Sequence, residues 1–370
     1  MANSFVTVKN IARQALPILV DNLVMPMLAY RDYSNTFTDL GDTIQVRKPP
    51  VYEGKDFKVG DTVTIQDINE GSVDVTLDKI ATVDIKLNAI EHATNMSEAK
   101  LIQDFINPAA IALAEKINKA GVGVYKDIPT IAGGTVGTAP ADLEVFSTVR
   151  KMLNKAKAPL SERYAIWDVE ADAKFTTIGN LVKVNEAGTN RALREGEIGR
   201  VFGLDNYMTQ AIEPHTNGAS GSPLVDGAAT AGATTIHIDA ATTPFTDGDM
   251  FTIAGDTTKY TVSKAGEVTG TNDQDLVITP ALAKNAADNA AITLVAGATN
   301  NLAFHRNAIA FVTRPLAPAP GVESYSTSNG MFSLRVTKGY DMSTKEALMS
   351  MDVLYGYKVV YPELAVRYLG

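Results

Sequence analysis

The stretch FHRNAIAFVTRPLAPAPGVES, Phe304 to Ser324, joins two incompatible demands on the backbone. Ala308, Ala310 and Val312 alternate with Ile309, Phe311 and Thr313, so both faces of the run are largely apolar, which predicts a buried strand. Pro315, Pro318 and Pro320 then forbid regular pairing, because proline has no N–H to donate. The chain nevertheless continues to residue 370. A core strand placed this late, leading into a stiff connector, reads as the point where the chain re-enters a domain begun much earlier.

Working back from that point, the composition changes near His215. PHTNGASGSPLVDGAATAGATT, Pro214 to Thr235, is a linker of small residues. Short strands follow, TTIHID, MFTIAG, KYTVSKA, DLVITP and AAITLV, each bounded by turn residues. From Ser220 to Gly297 nine Asp or Glu face three Lys, a local charge of −6. Regularly spaced short strands of this kind predict a small all-β barrel or sandwich. Core-like strands stand on both sides, so the segment 220–299 reads as an insertion whose far boundary lies near Gly297 to Asn301.

The host must be assembled from what remains. In residues 1–35, Ile11, Ala15 and Leu19 form a helical stripe that Pro17 and Pro26 interrupt, which predicts two short helical pieces. They lie either on their own core or, as an arm, on a neighbouring subunit. Between residues 36 and 90 the period changes to two. TIQVRKPPVYEG and SVDVTLDKIATVDIKL predict strands, and the polar EGKDFKVGD between them predicts a long hairpin with an exposed tip.

A helix follows within 91–124, with Asn95 and Glu98 as a capping box and a stripe of Leu101, Phe105, Ala109, Leu113 and Ile117. Pro108 should kink it and Gly121 should end it. A second helix begins at Pro140, carries Asp142 and Glu144 early and Arg150, Lys151, Lys155 and Lys157 late, and stops at Pro159. RYAIWD then reads as a buried strand bearing Trp167, and VFGLDNYMTQAI resumes strand character.

Composition excludes several kinds of function. A formal charge of −9 argues against a broad basic face gripping nucleic acid, and leaves weak, nonspecific contact open. With no cysteine there is no disulfide framework, thiolate nucleophile or Cys-based metal site. MANSFVTVKNIARQ lacks the apolar core of a secretory signal, and no run approaches bilayer-spanning length, so the expectation is a soluble chain synthesised in the cytoplasm with no membrane partner.

The search for chemistry finds no constellation. His92, His215, His237 and His305 stand apart with no metal-ligand spacing, and His237 alternates with Ile236 and Ile238 as a strand-surface residue would. GASGSP faintly resembles the surroundings of a serine-protease nucleophile, but catalysis at Ser220 would need a histidine and an aspartate beside it. GVGVYK follows a helix and lacks the third glycine of a dinucleotide loop. DGDMF reads as a tight turn entering a strand. Glu195 and Glu197 carry no geometry of their own, and Arg191, Arg194 and Arg200 interleaved with them read as a solvated or subunit-facing loop. No catalytic, cofactor-binding or metal-binding residue is assigned.

The order of elements carries more than any motif: arm, polar-tipped hairpin, kinked helix, α/β region, inserted β segment, return strand, closing strands. This order resembles the major capsid (coat) proteins of tailed bacteriophages, an α+β fold of the Hong Kong 97 type. It is similar in particular to the branch typified by the Salmonella podophage coat, which carries an inserted β-barrel. DTIQVRKPPVYEG, Asp42 to Gly54, resembles the rising half of the family's extended loop; INPAAIALAEKI, Ile106 to Ile117, its spine helix; and GEIGRVFGLDNYMTQAI, Gly196 to Ile212, the strand leading to the insertion. NAIAFVTRPLAPAPG and KGYDMSTKEALMSMDVLYGYKVVYPELAVRY resemble the closing segment, with Gly356 and Pro362 at family-like places.

The resemblance implies a structural protein without enzymatic activity or cofactor. It would build the pentamers and hexamers of an icosahedral procapsid and capsid, with a scaffolding protein and portal as partners and double-stranded DNA inside. It implies an arm (1–35), an extended loop (36–90), a peripheral spine helix (91–124), an axial domain (125–219), the insertion (220–299) and closing strands (300–370). The residues expected at contacts between copies are Arg47, Tyr52, Glu53, Lys55, Asp56, Lys58, Asp61, Arg191, Arg194 and Glu195. Two other readings stand beside it: an encapsulin-like nanocompartment shell, and a hydrolase with a β-sandwich binding module, which would need a pocket joining His215, Ser220 and an Asp.

Overall fold

The computed structural model describes residues 8–32, 43–48, 71–87, 105–183, 194–269, 273–329, 331–342 and 346–370. In chain order these hold α1 (Val8–Asp21), α2 (Met25–Leu28), β1 (Thr43–Lys48), β2 (Gly71–Thr76), β3 (Lys79–Leu87), α3 (Asn107–Val122), β4 (Ile131–Gly133) and α4 (Glu144–Lys155). Next come β5 (Arg163–Trp167), α5 (Val169–Phe175), α6 (Gly179–Val182), β6 (Arg200–Val201), β7 (Leu204–Met208), β8 (Ser220–Val225), β9 (Thr235–Thr243) and β10 (Met250–Ile253). The chain closes with β11 (Tyr260–Ala265), β12 (Gln274–Thr279), β13 (Ile292–Val295), β14 (Asn300–His305), β15 (Ile309–Arg314), β16 (Glu323–Ser328), β17 (Ser333–Asp341), β18 (Glu346–Val359) and β19 (Ala365–Leu369).

Pro17 does not divide the N-terminal helix as its sequence predicts; it lies inside α1. It sits on the exposed side, where the carbonyl it strands can be solvated, while Ile11, Ala12, Ala15, Leu16 and Leu19 continue the buried stripe past it. The break falls instead at Asn22–Val24, and Pro26 occupies the first turn of α2, where no N–H is needed. The stripe packs on α3, β16 and β17, so this helix lies on its own core. Asn118 of α3 fixes the break. Its amide oxygen accepts from the Val24 and Met25 N–H groups at 3.0 and 3.2 Å, and its NH2 donates to the Asn22 carbonyl at 2.8 Å.

Pro108 falls in the first turn of the described α-helix, directly after a π-type turn at 105–106, and the preceding residues on which the expected kink depends lie outside the described residues. One expectation for α3 shifts. Gly121 lies within the helix, which runs to Val122 and into a 3-10 turn, Gly123–Asp127. The reason for Gly121 is close approach: a Cβ there would lie 2.8 Å from the Tyr357 ring. The predicted cap at Asn95 and Glu98 is outside the described residues.

Four sheets follow. β1 and β2 pair antiparallel from Thr43↔Thr76 to Lys48↔Gly71. The long strand β18 pairs with β15, β17 and β3, and β16 extends β17. The mixed sheet has the order β4-β19-β14-β5-β7-β6, with β5 and β7 parallel. Trp167 is buried beneath it, edge-on to Phe146 and Phe175, with its indole N–H donating to Asn206 Oδ1 at 2.9 Å.

The fourth sheet, β13-β10-β11-β12-β9-β8, draws every strand from residues 220–295 and encloses its own apolar cluster of Val225, Ile236, Ile238, Phe251, Tyr260 and Leu276 among others. A bridge between Leu224 and Ala291 brings its first and last strands together, as in a barrel. β8 lies in the stretch that reads as linker from sequence. Gly221 and Pro223 mask its strand character, and both are tolerated because the register of β8 against β9 shifts around them, between Ser220 and Leu224.

The opening stretch resolves into two strands. β14 ends at His305, a 3-10 turn over Arg306–Ala308 follows, and β15 belongs to a different sheet. The turn is held by the Asn307 N–H donating to His305 Nδ1 at 3.2 Å. Residues 300–314 thus stitch the mixed sheet to the β18 sheet.

Candidate assembly surfaces and a polar junction

The base of the hairpin is anchored firmly. Val46, Val75 and Leu77 are buried against Ala310, Val312, Leu354 and Val360 of β15, β18 and the residue after β18. Gly356 of β18 meets the Thr76 carbonyl so closely that only a glycine fits. Arg47 is exposed on β1, opposite Ser72. The other expected tip residues, Tyr52, Glu53, Lys55, Asp56, Lys58 and Asp61, lie outside the described residues, as does Arg191. Arg194 and Glu195 are exposed on the segment that leads into β6, where Arg200 pairs with Asp205 at 3.7 Å. Arg47 and the Arg194–Glu195 pair therefore sit on different elements.

Among the large apolar side chains that are exposed, two groups stand out that the sequence does not flag. Tyr340, Met342 (84% exposed) and Leu348 lie at one end of the β17–β18 pair, where Gly339 opposes Leu348. Phe202, Tyr207 and Met208 lie along the short β6–β7 hairpin.

Polar chemistry concentrates where the 220–295 sheet meets the rest of the chain. Tyr125 Oη and His215 Nδ1 are 3.2 Å apart, and His215 Nε2 is 2.7 Å from Asp249 Oδ1. Asp249 is fully buried and also accepts from the N–H groups of Gly218, Ala219 and Thr246 at 2.9 to 3.1 Å. Burial alone would raise its pKa. The hydrogen bonds from His215, Thr246, Ala219 and Gly218 outweigh that and hold the carboxyl below its ordinary value.

Behind Tyr125 lies Arg367 of β19, wholly buried, its guanidinium 6.0 Å from the ring centroid and donating to Thr261 Oγ1 at 2.8 Å. Burial lowers the Arg367 pKa to about 10 and raises that of Tyr125 to about 12, so the one stays charged and the other protonated at neutral pH. Beside this cluster opens a cleft of about 610 Å³, lined among others by Lys79, Lys116, Lys126, Tyr125, His215 and Tyr357.

This arrangement decides the serine question. Both ring nitrogens of His215 are engaged by Tyr125 and Asp249, while Ser220 Oγ bonds Thr243 Oγ1 at 2.8 Å. Among the described residues no Ser220–histidine–aspartate relay is formed. Among the described residues no three His, Asp or Glu side chains converge to hold a metal ion. His237 is a surface residue of β9, paired with Asp275 at 2.8 Å and Asp226 at 3.3 Å. Asn118 and Arg367 are residues that sequence reading passes over, and Asp249 is read there only as part of the DGDMF turn. Each had a signal: Asn118 stands in phase with the apolar stripe of α3, Arg367 alternates inside AVRYL, and Asp249 directly follows the Gly248 turn into β10.

No protein-family model matches the chain. A curated proline–tRNA ligase of Psychrobacter arcticus is 28% identical over 146 residues, which is 36% of this chain, and the match spans only 24% of the ligase. Solved structures are alike over nearly the whole length. A chain of Mycobacterium phage Che8 superposes with a TM-score of 0.56 at 17% identity, covering 94% of this chain and 90% of that one. A chain from the capsid of the cyanophage P-SCSP1u superposes with a TM-score of 0.52 at 12% identity, covering 92% and 86%. The chain has a phage-capsid fold.

Within the capsid fold, the hairpin base, α3 and β18 form one packed unit. The Tyr125–His215–Asp249 cluster lies at that unit's boundary with the 220–295 sheet. Among the described residues no helix is long and apolar enough to cross a membrane.

Proposed function

We propose that the chain is a major capsid protein that self-assembles into the icosahedral head, procapsid and then capsid, enclosing the double-stranded DNA of a tailed phage. The observation that carries this reading is the likeness to phage structures over 94% and 92% of the chain, far more than a shared local motif would give. The physics of the chain supports it. A shell subunit must make heterologous contacts that close around pentamers and hexamers. A hairpin whose base is anchored and exposed apolar side chains such as Tyr340, Met342 and Leu348 suit contacts between copies. A charge of −9 suits a container whose DNA must move, bound by weak contacts only.

In the same reading the 220–295 sheet is an inserted β domain of the Salmonella podophage type. Its support is a separate apolar core and the entry and exit of the chain at one place. A scaffolding protein and a portal are the expected assembly partners. The host cytoplasm is the expected site of assembly, and Arg47, Tyr52, Glu53, Lys55, Asp56, Lys58, Asp61, Arg191, Arg194 and Glu195 are the expected contacts between copies.

Electron microscopy of the purified chain, with and without scaffold, tests the reading through the appearance of shells or polyheads. Deleting Gly54 to Gly60 tests the contact set: shell yield and stability should fall, and unchanged values would remove the tip from the interface.

A further inference from the structure

We propose that the boundary between the 220–295 sheet and the rest of the chain is a pivot, whose angle fits one sequence to the non-equivalent positions of a closed shell. The second half of this inference rests on the capsid reading; the first half does not.

The two crossings of the boundary run side by side. The His215 N–H donates to the Ala298 carbonyl at 3.1 Å, and Gly297 presses against the His215 carbonyl where no Cβ would fit. A pair of adjacent crossings at one end of a sheet leaves it free to rotate about a single axis. The apolar cores do not merge. Every fully buried member of the sheet's cluster comes from Ala219 to Ile292, and the apolar bridge to the host is a small patch of Met250, Ala298 and Leu369 with Ile131, Val136 and Val295 around it.

The remaining ties are polar: Tyr125 to His215, Asp127 to Ser263, and Arg367 to Thr261. Boundaries that are more polar than a merged apolar core are where domains of one chain move against each other. Arg367 adds a second sign. It is wholly buried, and among the described residues its Nε and Nη1 have no hydrogen-bond partner and it pairs with no carboxylate, a closed state that is costly to hold. The cleft of about 610 Å³ beside the crossings supplies the room for rotation.

The chain has no cysteine, so the pivot can be locked cleanly. Asp127 and Ser263 touch across it, so Asp127→Cys with Ser263→Cys sets two thiols on either side of it, and non-reducing electrophoresis verifies the crosslink before assembly is scored. The reduced double variant should form closed shells as the unmodified chain does. Oxidation before assembly should abolish closed shells, leaving open or aberrant assemblies, and reduction should restore them. Fully oxidised chains that close into normal shells at normal yield would overturn the shell half of the inference.

Amide hydrogen exchange on the unmodified soluble chain tests the pivot itself, whether or not shells form. Amides of 214–219 and 296–299 should exchange faster than those of β9–β12 and of β14, β18 and β19 on either side. Equal protection across the boundary would show a rigid unit and overturn the pivot. If neither the reduced variant nor the unmodified chain yields shells, the capsid reading fails, and the exchange experiment still decides whether the boundary moves.

Discussion

Replacing Gly356 with alanine isolates the contact that seats the hairpin on the body of the chain. Gly356 is buried in β18, paired with Val312 of β15, and its Cα faces the Thr76 carbonyl at the end of β2. An added Cβ would overlap that oxygen, lie 3.3 Å from the Thr76 carbonyl carbon and 3.0 Å from Val312 Cγ2. Two effects compete. Glycine inside a strand costs roughly 0.5–1 kcal/mol of backbone entropy relative to alanine, so the substitution should stabilise if there were room.

Overpacking a filled site costs about 1–3 kcal/mol, and here the main obstacle is backbone, which cannot rotate away as a side chain could. Moving Thr76 also disturbs Val75 and Leu77, both fully buried, whose complete burial is worth about 1.5–3 kcal/mol each. The clash wins, with an expected net loss of about 2 kcal/mol. Urea unfolding followed by far-ultraviolet circular dichroism measures it as a lower midpoint at unchanged slope. Gly123→Ala is the control: its φ of −58° is helical, nothing lies within 4 Å, and it should stabilise by about 0.4–1 kcal/mol. A Gly356→Ala chain as stable as the original would refute the close approach on which the seating argument depends.

Other expectations follow from the same reasoning. The Asp249 carboxyl has a folded pKa below its unfolded value of about 3.9, so its contribution to stability is present above that pH and lost as pH falls through the folded value. Thermal melts stepped down from about pH 5 should show the original chain losing stability more steeply than Asp249→Asn, and parallel curves would contradict this. Asp352 is buried and accepts from Arg335 Nε and Nη2 at 3.0 and 2.7 Å and from Ser350 Oγ at 2.9 Å. Asp352→Ala should cost about 2 kcal/mol in the same urea assay, below the full penalty for breaking a buried pair because Arg335 keeps some solvent. Trp167→Ala should cost about 3–5 kcal/mol, and Trp167→Phe clearly less, since the ring cluster with Phe146 and Phe175 survives in the second.

Much of the architecture was legible because it is written in period and punctuation. The buried β5 around Trp167, the hairpin base and five strands of the 220–295 sheet all follow from those signals. So does α4, although it starts at Glu144 rather than Pro140 and ends at Lys155, leaving Asp142 and Lys157 outside it. What sequence misjudged has local causes. Pro17 looks like a helix breaker until one sees that it faces solvent while the buried stripe runs on beneath it. Gly121 looks like a helix end because glycine serves both as a cap and as a site of close approach, and only the positions of Met25 and Tyr357 distinguish them. The 304–324 stretch reads as one re-entry strand, yet the turn at Arg306–Ala308 divides it between two sheets.

The polar junction was illegible for a different reason. Tyr125, His215, Asp249 and Arg367 are up to 242 positions apart in a chain of 370, and no spacing rule links residues that only tertiary folding brings together.

The central claim is that this chain closes into shells built from copies of itself. Cryo-electron microscopy of the assembled protein, expressed with and without a scaffold, tests it most directly. The account predicts closed icosahedral particles whose walls are pentamers and hexamers of this chain, with the β1–β2 hairpin reaching a neighbouring copy. A chain that stays a monodisperse monomer under every assembly condition would contradict it.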